Sequence, residues 1–382
     1  MTAQLLHGLR ALDLTTPLGA TCGRILASFG VDVVRIDSSV PSDPSALQRF
    51  RADNLDKRSL TIDLADETAR ARFTALVATA DFVIESFAPG HLSSLGLDYA
   101  ALRAINPALI LVSISPFGQH GPYASFHGGE LVASAMSGVL ITLGDADRPP
   151  VKEALDANCF HGSAAAALGA VIAHYHRVRT GVGQHVDLSL QEAGVSRNTN
   201  NVLLYQFDKR CVQRGGSFLR FGKASIRVIW KLRDGYMFYS MATGRFGAPA
   251  NRALCSWMDE LGYDHPMRDV DWERYDRATL DAQVRKTWEA AIGRFFAART
   301  KAEIDNEGRR RGINAAVANA VADLLNDQQL AAREYFVDVP WDDREVRIPR
   351  YFVRSSGEAG VPQALRTIDG DELARDWTAL RP

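Results

Sequence analysis

Short apolar runs alternate with longer segments of helical period through the first half of the chain. The runs are rich in Val, Ile and Leu and cover residues 9–14, 31–36, 82–85, 109–114 and 186–190. Segments with apolar residues at helical spacing lie between them, at residues 19–29, 68–80 and 99–105. The runs lack regular polar alternation, so both faces of the sheet are expected to be covered. This order predicts an α/β fold in which helices cover a parallel sheet.

The second half of the chain is less regular. A helix is predicted from Ser163 to Val178, where the residues are small or apolar on nearly all sides, as in a deeply buried helix. We predict a large domain at 1–205, an Arg-rich linker at 206–233 and a smaller α+β domain at 234–329. Short edge strands are predicted at 337–340 and 346–348, in a C-terminal segment too thin to form its own core. The apolar helix and this thin segment together predict an obligate interface well above about 2,000 Å².

Charge and cysteine content argue against several classes of function. The 44 basic and 45 acidic side chains give a net charge of −1, so neither a nucleic acid nor an anionic membrane is predicted as a partner. The four cysteines are scattered, without a C-x-x-C pair or zinc spacing, so no metal site is predicted. Free thiols of this kind fit a reducing compartment. With no signal-peptide pattern and no apolar stretch of about 18 residues, the expected location is the cytoplasm.

The first predicted strand–helix turn reads TTPLGAT and contains a single glycine, Gly19. A dinucleotide site needs several glycines there, so that backbone amides can approach a pyrophosphate. The turn therefore argues against NAD binding, and the sequence contains neither a Walker A motif nor a G-x-S-x-G nucleophile elbow.

Six longer blocks carry the most specific information. In chain order they read GLRALDLTTPLGA, GVDVVRID, NLDKRSLTIDL, ADFVIESFAPGHLSSLGLDYAAL, NPALILVSISPFGQHGPYA and RTGVGQHVDLSLQEA. In order and spacing they resemble the segments that define class III CoA-transferases, the family of formyl-CoA transferase, carnitine CoA-transferase and α-methylacyl-CoA racemase. The resemblance covers residues 5–195. It implies a Rossmann-like large domain that is completed by residues 330–382, and two chains that interlock like links.

The resemblance also implies where coenzyme A, as free CoA or acyl-CoA, would bind. Arg35, Lys57 and Arg58 are then the cations for the 3′-phosphate and the diphosphate. Leu60, Ser86 and Phe87 would lie beside the cofactor, near the ends of two strands. Ligands of open α/β sheets bind outside the carboxyl ends of the strands, which agrees with these positions.

The catalytic block departs from the family. Its transferases carry an Asp four residues before the glycine that opens the small-residue helix, and here Asn158 stands four residues before Gly162. The Asp attacks the donor thioester as a nucleophile, and a neutral amide cannot replace it. Asp156 lies two residues back, about 6–7 Å along an extended chain, which is too far for the reacting atoms. Glu130 matches a Glu of formyl-CoA transferase.

The racemases of the family carry a His just before the position of Glu130, whereas this chain has Gly129. Proton transfer at the α-carbon is therefore poorly supported.

Three hypotheses remain open. In the first, the chain is the Asp-lacking subunit of a heteromer like benzylsuccinate CoA-transferase. It would then help a paralogous subunit to move CoA from succinyl-CoA or a similar donor to a carboxylic acid. In the second, it forms a complete homodimer that uses another carboxylate. In the third, it is a non-enzymatic CoA-binding or scaffold protein.

Overall fold

The structure, a computed structural model, describes residues 5–36, 40–221, 224–350, 352–355 and 360–378. The chain divides into two compact units. The large unit comprises Met1–Ile141, Lys152–Val212 and Gln328–Pro382. The small unit comprises Thr142–Val151 and Gln213–Asp327.

The first part of the large unit alternates strands and helices as the sequence predicts. Its strands are β1 (Arg10–Leu14), β2 (Asp32–Ile36), β3 (Arg58–Leu60), β4 (Phe82–Glu85), β5 (Ile110–Ser115) and β6 (His185–Ser189). Its helices are α1 (Ala20–Ser28), α2 (Pro44–Asp53), α3 (Glu67–Val77), α4 (His91–Ser94), α5 (Tyr99–Ile105), α6 (Glu130–Met136), α7 (Ala157–Thr180), α8 (Leu190–Arg197) and α9 (Thr199–Asp208). Three of the helices begin after an Asp whose carboxylate accepts a backbone N–H of the first turn, which fixes the starting point: Asp43, Asp66 and Asp98.

The small unit has its own core. It contains β7 (Phe218–Phe221), β8 (Ala224–Arg227), β9 (Ile229–Leu232), β10 (Gly235–Tyr239), α10 (Gly244–Glu260), α11 (Ala282–Ala297), α12 (Lys301–Arg311), β11 (Ala315–Ala318) and α13 (Val321–Leu324). Strands β9, β10 and β11 form an antiparallel sheet in the order β11-β10-β9, and β7 pairs with β8. Large aromatic side chains, among them Trp230, Tyr239 and Phe296, pack between this sheet and the helices.

The C-terminal segment returns to the large unit. It forms α14 (Gln328–Ala332), β12 (Phe336–Trp341), β13 (Arg344–Pro349), β14 (Arg366–Thr367) and α15 (Gly370–Thr378). Strand β14 adds to the edge of the main sheet, which has seven parallel strands in the order β14-β3-β2-β1-β4-β5-β6. Strands β12 and β13 form a separate hairpin.

Both faces of the seven-stranded sheet are covered, as the uninterrupted apolar runs predict. Ala11, Val33 and Phe82 pack on one face with α1 and α7. Leu12, Val34 and Val83 pack on the other face with side chains of α3, α5 and α15. The predicted α/β fold with a large parallel sheet is therefore confirmed. Among the residues described, no helix is long and apolar enough to cross a membrane.

The stretch 206–233, interpreted from the sequence as a linker, contains three strands of the small unit, β7, β8 and β9. Its buried residues alternate with less buried ones, since Ile226, Val228, Trp230 and Leu232 point inward. The intervening Arg and Lys residues give the stretch its polar composition and conceal this period of two.

Candidate functional site

The family's nucleophile position lies at the start of α7. Helix α7 begins at Ala157. Backbone N–H groups of its first turn, which have no acceptor within the helix, are capped by a side chain from another helix. The Glu130 carboxylate, at the start of α6, accepts the backbone N–H of Asn158 at 3.1 Å and that of Cys159 at 2.8 Å. Both oxygens of Glu130 are therefore engaged, and the carboxylate stabilises the positive end of the helix.

The side chain of Asn158 is completely buried. Its Oδ1 accepts a hydrogen bond from Arg197 Nη1 at 3.1 Å, and this contact fixes the orientation of the amide. Its Nδ2 has no hydrogen-bond partner among the residues described, and it faces Gly194. Arg197, at the end of α8, also forms an ion pair with Glu153 at 2.6 Å. The position is thus a neutral amide held by an arginine.

Asp156, the neighbouring carboxylate, is held by two cations. One oxygen accepts from Lys152 Nζ at 2.8 Å, and the other pairs with the Arg49 guanidinium. Partial burial alone would raise the pKa of Asp156, but the Lys152 hydrogen bond and the Arg49 charge outweigh it and lower the pKa below the ordinary value. A carboxylate stabilised in this way is a weaker base and nucleophile.

A cavity of about 680 Å³ opens beside the first turn of α7. We call it the α7 cavity. Its lining combines apolar side chains with the charged groups just described: Pro17, Thr21, Arg49, Asp53, Ala154–Ala157, Cys159–His161 and Arg197. Burial, followed by the charge of Glu130, raises the pKa of the Cys159 thiol, so this thiol is not an activated nucleophile.

The turn between β1 and α1 brings together two of the sequence-predicted CoA residues. Arg35 Nη1 donates to the Thr15 carbonyl at 3.0 Å. Ser86 Oγ accepts the Thr16 N–H at 2.7 Å and lies 2.9 Å from Thr16 Oγ1. The two residues therefore hold this turn from its two sides, at the carboxyl edge of the sheet.

Lys57 points into the protein. Its Nζ donates to Asp13 Oδ2 at 2.7 Å, to the Ala20 carbonyl at 2.7 Å and to Asn54 Oδ1 at 2.9 Å. The side chains of Lys57 and Asp13 are both 0% exposed. Burial lowers the pKa of Lys57, although the adjacent Asp13 opposes the shift. All three ammonium hydrogens are used internally, and the phosphate contact of Lys57 stays a prediction.

Arg58 also has internal partners, and they lie at the amino ends of the sheet strands, opposite the β1–α1 turn. It lies at the amino end of β3, where Nε and Nη2 contact the Asp32 carboxylate at 3.0 and 2.5 Å. Its Nη1 bonds Asp376 of the returning α15 at 2.5 Å. These contacts fix the C-terminal helix to the sheet, and the phosphate role of Arg58 stays a prediction.

The remaining two predicted residues differ in exposure. Leu60, at the end of β3, is buried in the sheet core. Phe87 is half-buried after β4, with its ring centroid 4.6 Å from that of His91. Only Phe87 of this pair presents side-chain surface at the carboxyl edge of the sheet.

Sequence reasoning missed Arg197, Arg49 and Lys152. Arg49 and Arg197 come from distant parts of the chain and reach the start of α7 only because of the fold. Lys152 is close in sequence, four residues before Asp156. Within the described ranges, no cluster of three or more His, Cys, Asp or Glu is arranged to hold a metal ion.

Comparison with known proteins gives a consistent result. The model of CoA-transferase family III matches residues 6–366. The chain is 31% identical over 345 residues to the succinyl-CoA:(R)-benzylsuccinate CoA-transferase subunit BbsE of Thauera aromatica, covering 86% of this chain and 82% of that protein. It is 30% identical over 416 residues to a succinate–glutarate CoA-transferase of Agrobacterium fabrum, covering 98% and 97%.

The fold has a solved counterpart. A CaiB/BaiF family protein from Brucella suis superimposes with a TM-score of 0.85 at 25% identity, over 99% of this chain and 100% of that one. Together with the family match over nearly the whole sequence, this shows that the chain belongs to CoA-transferase family III.

Proposed function

We propose that the chain is the subunit of a heteromeric CoA-transferase that lacks the nucleophile, and that a paralogous subunit supplies the catalytic Asp. One observation carries the proposal. Asn158 occupies the nucleophile position with its amide oxygen bound to Arg197, and the amide is fully buried. An amide oxygen carries no full charge and forms no mixed anhydride with a thioester.

Neither neighbouring carboxylate is suited to replace the Asp. Both oxygens of Glu130 accept backbone N–H groups of α7, so attack would uncap the helix. Asp156 is neutralised by Arg49 and Lys152. These contacts favour the inactive-subunit hypothesis over a homodimer that uses another carboxylate.

The reaction is the transfer of CoA from an acyl-CoA to a free carboxylic acid, and we take succinyl-CoA as the donor. The names of both relatives described above contain succinyl-CoA or succinate, and one of them is named as a subunit. These names support succinyl-CoA as the donor and a heteromeric assembly. They do not identify the acceptor acid of this chain.

We place CoA itself at the carboxyl ends of the sheet strands, beside the β1–α1 turn. Arg35 and Ser86 shape that turn, and Phe87 offers a ring surface next to it. Leu60, at the end of β3, is a buried core residue beneath this proposed site. Lys57 and Arg58 act indirectly in this proposal, since Lys57 fixes the start of α1 and Arg58 fixes α15.

One face of α7 offers a surface for the partner. Its small residues, including Ala166 and Ala170, pack on the sheet. On the opposite face Leu168, Ile172, Tyr175 and Val178 are 59–70% exposed. Large apolar side chains repeated at helical spacing on an exposed face are typical of an interaction site. We place the paralogous subunit here, in the interlocked arrangement that the family resemblance implies.

The test compares the isolated chain with the chain co-expressed with a paralogue that has Asp at the position of Asn158. Native mass spectrometry should show a heteromer, and transferase activity with succinyl-CoA should require both chains. A paralogue with Asp→Asn at that position is the matched control and should abolish activity without preventing assembly.

A trapping experiment separates the alternatives. The isolated chain is treated with succinyl-CoA and then with hydroxylamine, and its peptides are examined by mass spectrometry. No residue should be labelled. A labelled peptide that contains Glu130 or Asp156 would instead establish a complete homodimeric enzyme, and CoA binding without activity in any combination would favour a scaffold.

A further inference from the structure

A second cavity, of about 230 Å³, lies within the large unit near the C-terminal end of α1. We call it the Arg24 cavity. Its walls combine two arginines and one aspartate with several ring side chains: Arg24, Ser28, Asp56, Phe160, Tyr335, Pro349, Arg350, Phe352 and Pro362. Phe160 lines this cavity as well as the α7 cavity, so the two cavities are neighbours. Asn158 lines neither of them.

Arg24 is the distinctive group of this cavity. Its guanidinium lies over the ring of Phe352, with Cζ 4.9 Å from the centroid, and Phe352 in turn contacts Phe160. Among the residues described, none forms an ion pair with Arg24. The nearby Asp56 carboxylate accepts the backbone N–H of Gln363 at 2.7 Å. A half-buried guanidinium is therefore held against an aromatic wall without a bound carboxylate.

Other arginines near the sheet are satisfied internally. Arg49 pairs with Asp156, Arg58 with Asp32 and Asp376, and Arg197 with Glu153. Burying an unpaired charge is costly, and proteins normally compensate it with a counterion or a hydrogen-bond acceptor. Arg24, by contrast, has no ion-pair partner among the described residues and packs on an aromatic ring instead.

We infer that the Arg24 cavity binds the carboxylate of a small organic acid, with the guanidinium as its anchor. Arg24 brings a positive charge that no described residue pairs with, which favours an anion. The planar guanidinium matches a carboxylate through two parallel hydrogen bonds. Phe160, Phe352 and the two prolines provide apolar contact for the rest of the acid. An apolar cavity of about 150 Å³ suffices to bind benzene, so the size fits a simple aromatic or short aliphatic acid.

The electrostatics of the cavity agree with this inference. Burial lowers the pKa of Arg24 from its ordinary value, and the charges of Asp53 and Asp56 only partly oppose this. A bound carboxylate would supply the missing countercharge at short range. This inference does not depend on the proposed role of Asn158, because its support comes from the residues of the Arg24 cavity alone.

The test measures benzoate binding to the purified chain by calorimetry, with benzyl alcohol as a neutral ligand of similar shape. Benzoate should bind saturably and benzyl alcohol should not. Arg24→Gln should weaken benzoate binding by about ten- to a hundredfold, since one charge-assisted contact is lost. Arg24→Lys should retain part of the affinity. Arg274→Gln, at an arginine whose side chain is 90% exposed, is the matched control and should bind as the wild type does.

Several outcomes would overturn the inference. These are equal binding of benzoate by Arg24→Gln and Arg274→Gln, binding of benzyl alcohol as tight as that of benzoate, or equal affinity for inorganic phosphate. Absence of benzoate binding to a chain that still binds CoA would overturn it while leaving the proposed function intact. Should Arg24→Gln fail to fold, the wild-type comparison of benzoate with benzyl alcohol and phosphate still decides.

A carboxylate reaches such a site either as a free acid or as the distal carboxylate of an acyl-CoA. Displacement of benzoate by succinyl-CoA but not by CoA would identify the acyl group as its natural occupant. Displacement by free succinate alone would identify the acid. Either result supports the assignment of the cavity.

Discussion

Replacing Lys57 by methionine tests whether this lysine supports the fold or contacts a ligand. Its ammonium bonds three acceptors of the large unit, among them the carboxylate of Asp13 at 2.7 Å, and both side chains are fully buried. Methionine nearly preserves the length and volume of the lysine stem, so packing changes little. The substitution therefore removes the charge and the three donors and little else.

The size of the effect follows from these contacts. Removing one member of a buried ion pair costs about 3–5 kcal/mol, because the remaining charge is left uncompensated. The Ala20 carbonyl and Asn54 Oδ1 also lose their donor, at about 1–3 kcal/mol for each group that stays buried. The oxygen Oδ1 of Asp13 keeps its bonds to Thr15, which limits the loss. We expect the free energy of unfolding to fall by at least about 3 kcal/mol.

The assay is urea unfolding followed by circular dichroism, combined with calorimetry of CoA binding in the absence of urea. Lys286→Met, at an exposed lysine of α11, is the matched control and should change stability by less than about 0.5 kcal/mol. Adding Asp13→Asn to Lys57→Met should recover about 1 kcal/mol or more, because the pair is coupled.

The reasoning would be refuted by the opposite pattern. If Lys57→Met unfolds at the wild-type urea concentration but loses most of its CoA affinity, then Lys57 contacts a phosphate. The internal bonds would then be replaced on ligand binding.

Three further predictions concern the start and the outer face of α7. Asn158→Asp should fold with a free energy of unfolding within about 2 kcal/mol of the wild type. The carboxylate removes an unsatisfied donor and keeps the Arg197 contact, which offsets the cost of desolvating its charge. Urea unfolding checks this, and failure to fold would contradict the described geometry. Ile172→Asp should prevent association with the paralogue, whereas Arg103→Asp, at an exposed arginine of α5, should not, as size-exclusion chromatography would show. Cys211 is exposed and should react with iodoacetamide well before Cys159, whose thiol pKa is raised by burial; faster labelling of Cys159 in peptide mass spectra would refute its packing.

The sheet and its helices were predictable because their signals are local. The run at 109–114 has no polar alternation, and the strand Ile110–Ser115 is buried on both faces. The hairpin strands β12 and β13 were also indicated by short apolar runs. In both cases the period of the side chains carries the information, and it needs no distant partner.

The direction of the charged side chains was not predictable in the same way. Lys57 and Arg58 are adjacent in sequence, yet Lys57 contacts Asp13 near the carboxyl end of β1, while Arg58 contacts Asp32 at the amino end of β2. One signal was available. Asp13 stands inside an apolar strand that is covered on both faces, and a buried carboxylate there requires a cation. The identity of that cation depends on the fold, since 44 residues separate the pair.

The late arrival of β14 has a consequence during synthesis. Asp56 and Gln363, which bond where the C-terminal segment meets the sheet, are separated by 307 residues. At ordinary translation rates the ribosome needs about 15–60 s to cover that distance. During this interval β3 is an open sheet edge, and the apolar surface later covered by Leu373 and Trp377 faces water. Open edges pair readily with other chains, so the nascent large unit is open to aggregation through β3 until its last strand emerges.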